Sequence, residues 1–291
     1  MTTGQMAHAA EAPYYYVPPH SVYPIRGSLS MLATLFGAAL WVNDYAVGTY
    51  LCIAGIVCML LTLYGWFGDA IHESEGGLNS KRIDVSYRWS MTWFIFSEVM
   101  FFSAFFGALW YAREVSTPWL STLDSQTLLW PGFAGTWPNL GPAGTIAPFK
   151  TVSPFWLPTI NTALLLSSAA AVTVAHHALR GANRSRTIFW LGVGILLGFA
   201  FVACQAYEYH EAYTELNLRF TSGVFGALFF MLTGFHGFHV IIGATVLSVI
   251  WWRLVRGDFT STHHFGFEGA AWYWHFVDVV WLGLYVFVYW M

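Results

Sequence analysis

Seven long apolar stretches constrain this chain more than any other feature of its sequence. A helix needs roughly 20 apolar residues to cross the hydrocarbon of a bilayer. Only 9% of the 291 residues are charged, against about 25% in a typical soluble chain. The sequence therefore predicts an all-α membrane protein with seven transmembrane helices. The predicted spans are 27–43, 46–69, 85–112, 157–179, 186–209, 220–252 and 266–290.

The distribution of lysine and arginine predicts how these helices are oriented, because both residues are enriched on the cytoplasmic side. If the N-terminal tail, 1–26, is cytoplasmic, nine cationic residues lie at the inner face and three at the outer face. The C-terminus is then on the outer side. The inner set is Arg26, Lys81, Arg82, Arg88, Arg180, Arg184, Arg186, Arg253 and Arg256, and the outer set is Arg113, Lys150 and Arg219.

The connections divide the chain further. Helices I and II are expected within 27–72, helix III within 81–113, and helices IV to VII within 157–291. The segment 114–156 is predicted to be an outer-face loop rich in Gly, Pro and Trp. A loop of this length is usually functional or ordered by its surroundings. It therefore either covers a partner subunit or is a tolerated insertion.

Glu98 stands in the middle of the apolar segment WSMTWFIFSEVMFF at 89–102. None of its neighbours on the same helical face can pair with a carboxylate. These neighbours are Phe94, Ile95, Phe101 and Phe102. An ionisable side chain inside a membrane is costly and is by default a functional-site hypothesis. Three explanations are open: Glu98 is protonated, it has a partner on another helix, or it faces lipid headgroups or a small aqueous cleft.

Histidines are the residues to examine for a bound metal. His236 and His239 share one face of the sixth span, whereas the pairs 176–177 and 263–264 are predicted at the inner edge. Histidines at different depths in the membrane cannot bind one metal ion. Only His236 and His239 are left as possible ligands of one ion, and Glu208 is the one further residue that could join them. The alternative is that isolated polar residues form hydrogen bonds that fix the packing of helices.

A second polar set lies in the last span. Glu268, His275 and Asp278 are spaced seven and three residues apart, which places them on one helical face. Lipid would penalise this face, so we expect it to contact other helices or water. The set is either a proton or ion route or a buried polar seam between helices.

The chain lacks the residues that several classes of function require. There is no basic cluster to bind nucleic acid. A retinal protein would need a lysine within a span for its Schiff base, but Lys81 and Lys150, the two lysines, lie outside the predicted helices. An ion or solute transporter and a self-contained metalloenzyme are the alternatives that composition leaves.

Five segments of the chain carry a resemblance to a known family. The longest are WFIFSEVMFFSAFF at 93–106, GFHGFHVIIGA at 234–244 and HHFGFEGAAWYWHFVDVVWLGLYVFVYW at 263–290. The other two are AHHALRG at 175–181 and QAYEYHEA at 205–212. In this order they closely resemble segments of subunit III of the aa3-type cytochrome c oxidases. The resemblance covers the chain from about residue 20 to its end.

This resemblance implies an accessory subunit that holds bound phospholipid but no haem or copper. The haem and copper belong to its partners, subunit I, which is the main contact, and subunit II, and cytochrome c binds the complex rather than this chain. The first two helices are expected to be separated from the other five by a V-shaped cleft filled with lipid. The family role is to stabilise subunit I, to support proton uptake and to provide a route for O2.

The resemblance also assigns roles to individual residues. Glu98 matches the family's carbodiimide-reactive membrane carboxylate. Arg88 and Arg253 match positions used for lipid headgroups, and we expect Trp66 and Glu73 to bind lipid as well. His236, His239, Glu268, His275 and Asp278 are expected to form a polar seam within the membrane.

The source membrane is predicted from the loop at 114–156. This loop is longer than in mitochondrial members, which favours a bacterial cytoplasmic membrane over the mitochondrial inner membrane. Subunit III of a related quinol oxidase is the alternative within the family, but such members usually lack the first two helices.

Overall fold

The computed structural model describes residues 20–122, 128–261 and 263–290. Within these ranges, seven helices are long and apolar enough to cross a membrane, and no strand is present. The prediction of an all-α membrane protein with seven transmembrane helices is confirmed. The helices are α1 (Tyr23–Val42), α2 (Ala46–Glu75), α3 (Lys81–Trp110), α4 (Leu157–Arg180), α5 (Arg184–Thr214), α6 (Gly223–Arg256) and α7 (Phe265–Leu284).

The observed ends of some helices differ from the predicted ones. Helix α1 begins at Tyr23 rather than at 27, because Pro24 is tolerated in a first turn, where its missing N–H is not needed. Beyond its last α-helical residue, α3 continues as a π-helical segment, Tyr111–Ser116, and a short α-helical turn, Thr117–Leu120. The outer loop therefore begins after residue 120 and not at 114. Of the predicted tail, 1–26, the first 19 residues lie outside the described residues.

The chain divides into two compact units, Met1–Tyr87 and Arg88–Met291. The first unit contains α1, α2 and the first turns of α3. The second contains the rest of α3 together with α4 to α7. The lipid-filled cleft expected between the first two helices and the other five stays a prediction.

Within the first unit, α1 and α2 pack closely through glycines. A Cβ atom built on Gly37 would overlap the backbone nitrogen of Cys52, and one built on Gly55 would overlap that of Thr34. Lipid is as apolar as leucine, so helix pairs in a membrane gain little from apolar burial and depend on close van der Waals contact. Glycine provides that contact here because it lets the two backbones approach each other.

Within the second unit, α4 to α7 form a ring in which each helix packs against two of the others. Trp274 and Trp281 of α7 lie at its centre and have no exposed surface. The indole N–H of Trp274 donates to Ser168 Oγ at 3.1 Å, and that of Trp281 donates to Thr162 Oγ1 at 2.9 Å. These hydrogen bonds join α7 to α4, and a buried indole N–H without an acceptor would destabilise the fold.

Helix α3 packs against α6 and α7 of this ring. The ring of Phe101 lies edge-on to that of Phe235 on α6, with centroids 5.1 Å apart. The ring of Phe102 packs against Phe276 on α7, at 6.2 Å. These contacts turn the face of α3 that carries Glu98 towards α6 and α7.

The described part of the outer loop, 128–156, is held by the turn between α5 and α6. The backbone N–H of Lys150 donates to the carbonyl oxygen of Leu216 at 2.9 Å. The ring of Phe149 stacks on that of Phe225, with centroids 5.8 Å apart. The loop is thus ordered by its own chain, and a role in covering a partner subunit stays a prediction.

Replacing Gly37 with alanine should destabilise the α1–α2 pair, because the added Cβ would collide with backbone that cannot move aside. Overpacking of this kind costs about 1–3 kcal/mol, so the midpoint of thermal unfolding in detergent should fall. Gly68→Ala is the matched control, because nothing lies within 4 Å of a Cβ at that position of α2. Equal midpoints for the two variants would contradict the close packing.

Candidate functional site

Glu98 on α3 has a partner on another helix. Its Oε2 atom lies 3.0 Å from Nε2 of His239 on α6. The side chain of Glu98 is 20% exposed and that of His239 is 11% exposed. On its other side, Nδ1 of His239 lies 2.6 Å from the carbonyl oxygen of Phe235, one turn earlier in α6. Of the three explanations for Glu98, a partner on another helix is the one that these contacts support.

The two contacts of His239 determine where its protons lie. A carbonyl oxygen can only accept, so Nδ1 carries a proton and donates it to Phe235. The atoms Nε2 and Oε2 then need one further proton between them, because two lone pairs 3.0 Å apart would repel each other. That proton resides either on His239, which gives an ion pair, or on Glu98, which gives a neutral pair. In both cases the pair has no net charge, as an apolar environment requires.

Aromatic side chains surround the imidazole of His239. The ring centroids of Phe102, Phe101 and Tyr273 lie 5.1, 6.0 and 6.4 Å from that of His239. Their apolar surfaces keep water from these sides of the ring, and a low local dielectric strengthens the hydrogen bond to Glu98. The arrangement lets one proton move between a carboxyl group and an imidazole while the charge of the site stays constant.

His236 lies one turn before His239 but contacts a different helix. Its side chain is buried, and its Nε2 lies 3.1 Å from the carbonyl oxygen of Val277 on α7. Because that oxygen accepts, Nε2 carries the proton. The ring also packs against Trp281, with centroids 5.2 Å apart. The two histidines that the sequence places on one face of α6 therefore bind α7 and α3 respectively.

The three polar residues of the last span also have separate neighbours. Glu268 accepts a hydrogen bond of 2.7 Å from Nη2 of Arg88 on α3. His275 Nε2 lies 3.2 Å from the hydroxyl of Thr173 on α4. Asp278 is buried, and its Oδ1 has no hydrogen-bond partner among the described residues. Among the described residues, no hydrogen bond joins any two of Glu268, His275 and Asp278. These three side chains therefore do not form one continuous route by themselves.

The four residues expected to bind lipid lie in both units. In the second unit, Nε of Arg253 lies 3.5 Å from Oδ2 of Asp258, and Arg88 pairs with the glutamate described above. In the first unit, Trp66 is 48% exposed and Glu73 is partly buried. Both arginines thus have an acidic neighbour, and lipid binding by any of the four stays a prediction.

An apolar groove of about 430 Å³ lies near the C-terminal ends of α3 and α7. Two π-helical segments border it, Tyr111–Ser116 after α3 and Tyr285–Trp290 after α7. Arg113 and Glu114 form an ion pair of 3.1 Å at its edge. Apart from this ion pair the lining suits hydrocarbon or another apolar molecule. The groove is lined by Phe106, Gly107, Leu109, Trp110, Arg113, Glu114, Gly283 and Phe287.

The histidines near the other end of the bundle are closer together than the sequence alone implies. The ring centroids of His176 and His264 lie 5.6 Å apart, and those of His176 and His177 lie 6.5 Å apart. Among residues 20–122, 128–261 and 263–290, however, no three His, Cys, Asp or Glu side chains are grouped so that they could hold a metal ion.

Sequence reasoning missed the partners of the ionisable residues. The partner of Glu98 lies 141 residues away and that of Arg88 lies 180 residues away, and spacing along one helix reveals neighbours on that helix only. The sequence did offer one clue, because a buried ionisable group needs a polar partner at the same depth in the membrane. Glu208 was noted only as an additional metal ligand, yet it is 1% exposed and accepts a hydrogen bond from Tyr289.

Comparison with known proteins matches nearly the whole chain. The family model described as "Cytochrome c oxidase subunit III" matches residues 12–291. The chain is 44% identical to "Cytochrome c oxidase subunit 3" of Oncorhynchus mykiss over 286 residues, which covers 98% of this chain and 99% of that protein. It is 43% identical to the protein of the same name from Carassius auratus and 41% identical to that from Coturnix japonica, with the same coverage.

The hydrogen bond between Glu98 and His239 can be tested by comparing two substitutions of the acid. In Glu98→Gln, the amide N–H can still donate to Nε2 of His239, so the link between α3 and α6 should persist. Glu98→Ala leaves the imidazole nitrogen unpaired, at a cost of about 1–3 kcal/mol. The alanine variant should therefore unfold at a lower temperature than the glutamine variant. Two variants that both unfold like the unaltered protein would show that the bond contributes nothing.

Proposed function

Because the chain belongs to the cytochrome c oxidase subunit III family, we propose that it is the non-redox accessory subunit of a proton-pumping terminal oxidase of aerobic respiration. Its main contact is with subunit I, and subunit II is the second partner. The haem and copper that transfer electrons from cytochrome c to O2 belong to these partners. This chain contributes stability, support for proton uptake, and a lipid-lined route for O2.

The pair formed by Glu98 and His239 is the observation that supports a role in proton uptake. One proton is shared between Oε2 and Nε2, and it can move from one group to the other without placing a net charge in the membrane. A carboxyl group that is partly exposed and hydrogen-bonded in this way can exchange protons with its surroundings or orient a lipid headgroup. Neither property is needed for packing alone, which an amide or a serine would achieve at lower cost.

The route for O2 is supported by the apolar character of the same unit. O2 is apolar, so it concentrates in hydrocarbon rather than in water. The groove beside α3 and α7, of about 430 Å³, has a size common for ligand pockets, and it is lined mainly by aromatic and aliphatic side chains. A phospholipid chain in such a groove would keep it fluid and open to O2.

A stabilising role follows from the interhelical pairs of α3. Glu98 binds His239 on α6, and Arg88 binds Glu268 on α7. Both pairs fix the rotation of α3 about its own axis, because turning it would leave ionisable groups in lipid. A subunit with a fixed α3 presents a constant surface to subunit I.

The membrane and the orientation are also part of the proposal. The excess of lysine and arginine on one side supports a cytoplasmic N-terminus and a periplasmic C-terminus. The long outer loop favours a bacterial cytoplasmic membrane, with the mitochondrial inner membrane as the alternative. Seven spans favour cytochrome c over quinol as the electron donor of the complex.

Glu98→Gln should leave assembly of the oxidase intact but change either its functional lifetime during turnover or the number of protons pumped per electron. The reason is that glutamine preserves the hydrogen bond but cannot release a proton. The measurement is O2 consumption and proton release by the purified complex in vesicles. Ser97→Ala, a change at an exposed neighbour that bonds only its own helix, is the control. If lifetime and coupling were both unaltered in Glu98→Gln, the pair would have a packing role only.

Purification of the chain in a mild detergent tests the partnership itself. A haem–copper subunit should co-purify with it, and stripping that partner should remove all haem absorbance from the preparation. Haem or stoichiometric copper that stays with the isolated chain would contradict an accessory role.

A further inference from the structure

A second polar site lies deep in the ring of helices, separate from Glu98 and His239. It consists of Asn161 on α4, Gln205 and Glu208 on α5, and Tyr289 at the end of the last span, and we call it the buried polar cluster. Asn161 has no exposed surface, and the other three are 1% to 8% exposed. Of these four residues only Glu208 was named from the sequence, as a possible metal ligand.

Only part of the hydrogen-bonding capacity of the cluster is used by protein groups. The hydroxyl of Tyr289 donates to Glu208 Oε1 at 2.6 Å, and Nε2 of Gln205 donates to the same oxygen at 3.2 Å. Glu208 Oε2, Gln205 Oε1 and both amide atoms of Asn161 are buried without a hydrogen-bond partner among the described residues. Buried polar atoms in native proteins are almost always paired with protein or with ordered water.

The register of α4 against α5 places Asn161 nearer to Gln205 than to Glu208. The hydroxyl of Ser168 donates to the carbonyl oxygen of Gly194 at 2.6 Å, which sets these two residues at one level. The helices are antiparallel, so seven residues back along α4 and seven forward along α5 bring Asn161 level with Phe201. Gln205 then lies one turn further along the buried face of α5, about 6 Å in the axial direction. Glu208 lies three residues beyond Gln205, about 10 Å from the level of Asn161, so more than one water molecule is needed to connect Asn161 with Glu208.

Aromatic side chains border the cluster. The ring of Trp281 lies 4.8 Å from that of Phe201 and 5.9 Å from that of Tyr289, measured between centroids. The indole N–H of Trp281 is already donated to Thr162. These aromatic side chains keep bulk water away from the cluster, whose four residues are at most 8% exposed.

The chemistry of the unpaired atoms selects the occupant. Gln205 Oε1 and Asn161 Oδ1 call for a donor, whereas Asn161 Nδ2 calls for an acceptor. Glu208 Oε2 calls for a donor when the carboxyl group is ionised and for an acceptor when this oxygen carries the proton. A bare cation would satisfy only the three oxygens, and an anion would satisfy only the amide. Water donates two hydrogen bonds and accepts two, and a buried water typically makes about three.

From this geometry we propose that the buried polar cluster binds internal water, which bridges Asn161 to Gln205 and, through a further water molecule, reaches Glu208. The water joins α4 to α5, and the direct bond from Tyr289 extends the connection to the end of the last span. The result is a hydrated hydrogen-bonded network inside an apolar bundle.

The first test is a density map of the intact oxidase complex at a resolution that shows ordered water. We expect at least one peak within hydrogen-bond distance of Asn161 and of Gln205. A map without such a peak, in which the side chains pair directly with one another, would overturn the proposal.

The second test compares two adjacent substitutions on α4 in the same complex. Asn161→Leu should abolish the water peak and lower the unfolding temperature of this subunit, because Gln205 and Glu208 lose their bridge. Thr162→Val removes a bond to Trp281 but no group that faces the water, so the peak should remain. If the cluster were dry, Asn161→Leu would remove an unpaired amide and raise the unfolding temperature, which would contradict the proposal. If that variant does not assemble, the map of the unaltered complex decides.

Discussion

The hydrogen bond between Glu98 and His239 is the interaction on which the account of this chain depends. An ionisable side chain in hydrocarbon needs a partner that cancels its charge, and the imidazole provides it by sharing one proton at 3.0 Å. This need joins α3 to α6, and the pairing of Arg88 with Glu268 joins α3 to α7 in the same way. Because the ionisable side chains of α3 need partners within the membrane, they determine how α3 packs against α6 and α7.

The sequence was sufficient to predict the seven spans because each span must by itself be long and apolar enough to cross the bilayer. It was also sufficient to single out Glu98, since a charge within such a span is conspicuous. The partner could not be predicted, because His239 lies 141 residues away and helical periodicity reports only on neighbours within one helix. Identification of the partner required the packing of α3 against α6.

The polar residues of the last span illustrate the same limit. Their spacing places Glu268, His275 and Asp278 near one face, but α7 is surrounded by several helices, and successive turns meet different neighbours. Glu268 binds an arginine of α3 and His275 lies beside a threonine of α4. Glu208 was named only as a possible metal ligand. Its enclosure could not be predicted, because only the packing of the helices shows that this carboxyl group is buried.

Nitrogen-15 NMR of histidine in the intact oxidase complex tests the shared proton most directly. The signals of His239 can be identified by their disappearance in His239→Gln. The account predicts that its Nδ1 is protonated and that its Nε2 resonance shifts when Glu98 is replaced by glutamine. An unprotonated Nδ1, or an Nε2 resonance that does not respond to that replacement, would contradict it.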